Sequence, residues 1–153
     1  MWKKILFIIF IFFVFALLQN SFFTHFNLFG ASPNLIFILF FLMVFFGKKN
    51  YPVIFVAITA GIFLDIFSYT YYIGSSIVLL VVIGLLLKKT QLLLKNREDE
   101  HPFVYFLPLF VIFLLIYELF LGIFGQLIIF SLIYNLIVAS LGFLVFKKYA
   151  AKV

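Results

Sequence analysis

The chain has 153 residues, 67% of them hydrophobic and only 10% charged, against about 45–50% and about 25% in soluble domains. A soluble chain of this size could not bury that much apolar surface, so the composition excludes a soluble globular protein. The net charge of +6 does not signal nucleic-acid binding, because the cations fall in pairs at the ends of apolar runs, with no basic stripe among exposed aromatics.

A bilayer core of about 30 Å needs about 20 apolar residues per helix. The first run predicts a helix over about 5–23. Lys3-Lys4 before it matches the opening of a signal peptide, but Ala16-Leu-Leu-Gln-Asn-Ser21 offers no small-x-small cleavage site, so the helix is expected to be retained. The second run, from about Leu35 to Phe46, is short and is read as a helix over 33–47. Pro52 to Leu87 is too long for one span and divides at Ser68-Tyr-Thr-Tyr-Tyr-Ile-Gly-Ser75, predicting helices over 52–68 and 72–88. Lys88–Pro102 reads as a solvated connector whose mixed charges suit a short surface helix. The last run divides near Gly122-Ile-Phe-Gly-Gln126, predicting helices over 103–122 and 126–146. The expected fold is therefore all-α: one integral membrane domain over 1–153, a bundle of six transmembrane helices. The 26 phenylalanines read as a compositional bias of lipid-facing positions.

Six spans place both termini on one side. That side receives the N-terminus, Lys48-Lys49, the segment Lys88–His101 and the C-terminal tail, and with them all eleven Lys and Arg residues. The opposite loops hold none, and the positive-inside rule makes the basic side cytoplasmic.

Polar residues recur on helix faces. Ala57, Gly61 and Asp65 follow at steps of four, a spacing that lets another helix approach closely. Glu118, Gly122 and Gln126 share that spacing, as do Ser131, Asn135 and Ala139, with Gly142 close by and Gln19 and Asn20 on the first helix. These groups gather in one layer, in the outer half of the bilayer. An intramembrane Asp is expensive, about 2.5–3.5 kcal/mol on insertion scales, so it needs a role. The favoured reading is packing: Asp65 and Glu118 act as hydrogen-bond donors between helices, and an amide in place of Asp65 is expected to be mild. The competing reading is a binding site lined by the same layer. No nucleophile motif, zinc motif or Gly-rich phosphate loop flanks the two acids, so no catalytic set is expected. With no cysteine and no second ligand at metal spacing from His101, neither a metal nor another cofactor is expected.

The order of features resembles one known family. Leu17-Leu18-Gln19 ends the first helix and Ser32-Pro33-Asn34-Leu35 opens the second. Gly61-Ile-Phe-Leu-Asp65-Ile-Phe ends the third, Gly74 opens the fourth, and Tyr134-Asn135 precedes a basic end at Lys147-Lys148. Over essentially its whole length the chain looks like the rod shape-determining MreD family of bacterial inner-membrane proteins, which more often has Asp where this chain has Asn34. The resemblance implies a non-enzymatic, multi-pass component of the cell-wall elongation machinery. Its implied partners are an MreC-like bitopic protein, the actin-like filament protein, and the peptidoglycan polymerase and transpeptidase. Pro33, Asn34, Gly61, Asp65, Gly74 and Asn135 are the positions it marks, and Glu118 joins them from the polar layer. The chain is also similar in size to the substrate-binding subunit of energy-coupling-factor vitamin transporters, where Asp65, Glu118 and Asn135 would form the vitamin pocket. That family's Ala-x-x-x-Ala docking face is missing here, since helix one reads Phe12-x-x-x-Ala16-x-x-x-Asn20.

Overall fold

The computed structural model describes residues 2–27, 30–47, 52–67, 74–98, 102–122 and 125–150. They form six α-helices: α1 (Trp2–Ser21), α2 (Leu35–Phe46), α3 (Val53–Phe67), α4 (Ser75–Glu98), α5 (Pro102–Phe120) and α6 (Gln126–Ala150). Three segments, Ser75–Leu94, Pro102–Phe120 and Gln126–Lys148, are long and apolar enough to cross a membrane, and shorter apolar helices cover Ile5–Ser21, Leu35–Phe46 and Val53–Phe67. The described chain is thus helical throughout its regular elements, with the composition of a membrane protein.

Most helix bounds shift by a few residues from expectation, and two of the shifts change the reading of the elements. α4 does not stop at Lys88 to make a solvated connector but continues as helix to Glu98. The stretch beyond Lys88 has no Gly or Pro and is rich in Leu, Lys and Gln, which carry little helix penalty, so nothing local ends it. α5 ends at Phe120, and Gly122 (φ +75°) lies in the turn that follows. The face proposed for Glu118, Gly122 and Gln126 is therefore broken: Glu118 is buried, whereas Gln126 begins α6 and is exposed. Lys48-Lys49, residues 68–73 of the expected turn and Asp99–His101 lie outside the described residues.

The shortest helix is the central one. Ten of the twelve residues of α2 are buried, and it packs against each of the other five helices. A helix apolar on every side has no solvent face and belongs inside. Its phenylalanines mesh with those of α5. Phe37 lies 5.0 Å from the Tyr117 ring, Phe41 is 5.5 Å and 5.2 Å from Phe106 and Phe110, and Phe45 is 5.2 Å from Phe106. Phe143 of α6 closes the stack, 4.8 Å from Phe106.

This corrects the lipid-facing reading of the phenylalanines. Phe7, Phe10 and Phe13 on α1 do point outward, but Phe12, Phe37, Phe40, Phe41, Phe106, Phe110 and Phe143 are fully buried. A lipid tail is as apolar as a Leu side chain, so helix association here rests on close packing rather than on leaving water. Phe41→Ala is accordingly expected to destabilise the bundle by about 2–4 kcal/mol, somewhat below the figure for soluble cores, through lost dispersion contacts and a cavity. Phe10→Ala should change little. Reversible unfolding in bicelles would measure both.

Candidate functional site

At 1.5 Å per residue α2 is about 18 Å long, well short of a hydrocarbon core of about 30 Å. Its terminal N–H and C=O groups lie in buried or half-buried surroundings, where protein partners take the place of water. Each such group left bare in an apolar medium is worth several kcal/mol of destabilisation. Polar side chains from three other helices meet this demand.

At the N-terminus of α2, Asn34 is the cap: its Oδ1 accepts from the Phe37 N–H at 3.0 Å. The Asn34 N–H donates in turn to Asn135 Oδ1 on α6 at 2.7 Å. Gln19 Oε1 on α1 accepts from the Ile36 N–H at 3.2 Å. At the C-terminus, two residues of α4 three positions apart reach the last carbonyls. Lys88 Nζ donates to Gly47 O at 2.6 Å and Gln91 Nε2 donates to Phe45 O at 2.8 Å. A cation at a helix C-terminus also complements the macrodipole. Pro33, buried just before the cap, has no N–H of its own to satisfy there.

Asp65 has a corresponding task at the start of α4. Its Oδ2 accepts from the Gly74 N–H at 2.6 Å and its Oδ1 from the Ser76 N–H at 3.1 Å. The carboxylate thus serves as a cap supplied from another helix, at the end of α4 where a negative charge is favoured. Gly74 holds φ +98°, the left-handed region that glycine enters without strain, and this turns its N–H toward Asp65. The expected role of Asp65 as an interhelical donor is therefore corrected: in both of these bonds it accepts.

The expected close approach beside Asp65 is present. Ala57, Gly61 and Asp65 are all buried on α3. A Cβ built on Gly61 would sit 2.5 Å from Ile77 Cα and 2.7 Å from Ile77 N. Backbone meets backbone there, and Ile77 follows Ser76 directly, so the contact at Gly61 seats the end of α4 on Asp65.

Glu118 joins a second network. Its Oε1 accepts from the Ser131 hydroxyl. Asn135 Nδ2 donates to Ser131 O at 2.9 Å and to Ser131 Oγ at 3.0 Å. Through Asn135 this chain runs on to Asn34 and the start of α2. Ser131, Asn135 and Ala139 are buried on one face of α6, as their spacing predicted.

Of the residues singled out in the sequence, Asn34, Glu118 and Asn135 therefore converge on one network, and Gly61, Asp65 and Gly74 on the other. Sequence reasoning passed over Lys88, Gln91, Ser76 and Tyr117. For the first two a signal existed: a Lys and a Gln three apart, just past an apolar run, share a helix face. Buried Ser76 Oγ, Tyr117 Oη and Glu118 Oε2 have no hydrogen-bond partner. Among the described residues, no three His, Asp or Glu side chains form a group able to hold a metal. A groove of about 550 Å³ between α3 and α4 is lined by Pro52, Val53, Ile54, Phe55, Ile58 and Leu85, all of them apolar. No family profile, curated protein or solved structure matches this chain.

Proposed function

We propose that this chain is a non-catalytic, six-span subunit of the bacterial inner membrane, with both termini cytoplasmic, that scaffolds the cell-wall elongation machinery. Its partners on this reading are an MreC-like bitopic protein, the actin-like filament protein, and the peptidoglycan polymerase and transpeptidase. The resemblance to the MreD family supports the cellular role, and the placement of all eleven cations supports the topology.

One observation carries the scaffold reading over a transporter. The residues that the resemblance marks, Asn34, Asp65, Gly74 and Asn135, direct polar atoms into bonds between helices. A side chain that caps a neighbouring helix is unsuited to releasing that helix for a solute. A bundle with outward apolar rows on α1 and α6 has the character of a platform for other membrane spans.

Gentle detergent extraction, affinity capture of the full chain and mass spectrometry test this directly. Recovery of wall-synthesis proteins is the expected result. Recovery of transporter ATPase subunits together with a copurified vitamin would overturn it in favour of a substrate-binding subunit.

A further inference from the structure

We propose that the groove between α3 and α4 holds an acyl chain of one anionic phospholipid, whose phosphate pairs with Lys89. The groove, about 550 Å³, has only apolar residues on its walls, and Ile54, Ile58 and Leu85 among them are exposed. It is therefore open to the hydrocarbon around a membrane helix, and its volume lies within the about 300–1,000 Å³ of ordinary ligand clefts.

Helix register places a cation at one end of it. A Cβ built on Gly61 would meet Ile77, and one built on Gly84 would meet Val53. α3 and α4 thus run antiparallel, with the start of α3 level with Gly84. Leu85 lines the groove, and Lys89 follows it by four positions, about 6 Å further along the same face of α4. That direction carries α4 past the first residue of α3, so Lys89 stands just beyond the groove. Its side chain is exposed, whereas Lys88 beside it donates to Gly47 O. Exposed Leu92 and Leu93 lie one turn further on, so the ammonium has apolar side chains on both sides along the helix. The acids among the described side chains, Asp65 and Glu118, are buried elsewhere: Asp65 accepts at the opposite end of α4, and Glu118 on α5 accepts from Ser131.

The chemistry of the two parts selects the occupant. A lysine that meets hydrocarbon with its stem and the headgroup layer with its ammonium attracts the anionic groups of that layer. A partner helix seated in the groove would need small residues that let backbones approach, whereas Val53, Ile54, Phe55, Ile58 and Leu85 are bulky. The groove also follows α3 only from Pro52 to Ile58, about 10 Å, which is a short seam for a helix. A flexible acyl chain fills a gap between bulky walls, and the phosphate at its head supplies the charge that Lys89 lacks. A free phosphate would leave the groove empty, and a neutral lipid would leave the lysine unpaired.

Two measurements test this. In the first, the full chain in mild detergent receives equal amounts of dioleoylphosphatidylglycerol and dioleoylphosphatidylcholine, which carry the same acyl chains, and native mass spectrometry reads what is retained. One phosphatidylglycerol is expected to be held in preference to phosphatidylcholine. Lys89→Gln should lower that preference about fivefold, and Ile58→Trp, which fills the groove, should lower retention of both lipids. Lys147→Gln removes an exposed cation at the end of α6 and should leave the preference unchanged. Equal retention of the two lipids, an equal loss in Lys89→Gln and Lys147→Gln, or full retention in Ile58→Trp would overturn the proposal. In the second, a photoreactive benzoylphenylalanine introduced at Ile58 is irradiated in phosphatidylglycerol-containing bilayers. An adduct with the phospholipid is expected; an adduct joining two copies of the chain would overturn the proposal.

Discussion

Replacing Gly61 with alanine is expected to force α3 and α4 apart and to destabilise the bundle by about 3 kcal/mol. The added methyl would lie 2.5 Å from a backbone carbon and 2.7 Å from a backbone nitrogen of Ile77, far inside the 3.5–4.0 Å at which carbon atoms attract. A side chain can rotate away from such a clash, but a backbone can only move with its helix. Gly84 supplies the control. A Cβ there would meet Val53 Cγ1 at 2.9 Å and Phe40 Cζ at 3.4 Å, both side-chain atoms, so Gly84→Ala should cost about 1 kcal/mol. Unfolding equilibria in bicelles for the two variants, side by side, check the difference. Equal effects would show that α3 and α4 are not in backbone contact.

The second large effect is at Asp65, where the two candidate replacements are expected to separate. Asp65→Leu removes both acceptors from the Gly74 and Ser76 N–H groups and should destabilise by about 2–5 kcal/mol. Asp65→Asn keeps one acceptor oxygen but turns an NH₂ toward the second N–H, so its effect should be intermediate, about 1–2 kcal/mol. Amide hydrogen exchange at Gly74 and Ser76 supplies the local readout: one amide loses protection in the Asn variant and both do in the Leu variant. If Asn and Leu were equally damaging, the negative charge itself would be the requirement, through the dipole of α4 rather than through bond number. Because Ile77 adjoins Ser76, the Gly61→Ala and Asp65→Leu effects should also be less than additive, each disturbing the same end of α4.

How far these features can be read from the sequence depends on the distance over which their cause acts. The pairing of Gly61 with Asp65 on a protein-facing side follows from a step of four along one helix, and the same holds for Ser131, Asn135 and Ala139. A break that contains Gly74 follows from turn chemistry. The acceptor role of Asp65 could not be read this way, because its partners are the N–H groups of Gly74 and Ser76, nine and eleven positions further along. Lys88 illustrates the same limit. In the sequence it marks the edge of an apolar run, but in the fold its ammonium caps Gly47, the end of a helix 41 positions earlier.

Composition and the order of apolar runs by themselves determined membrane character and the approximate breaks between helices. These are properties of transfer between water and hydrocarbon, which each segment expresses without reference to the others. Only the tertiary structure decided that the shortest helix is the centre, that Phe41 is inside while Phe10 is outside, and that the polar side chains cap α2 and α4. The physical reason is that a lipid tail and a packed protein interior are equally apolar. Hydropathy therefore sees no difference between them, and the choice passes to shape and to the pairing of buried backbone groups.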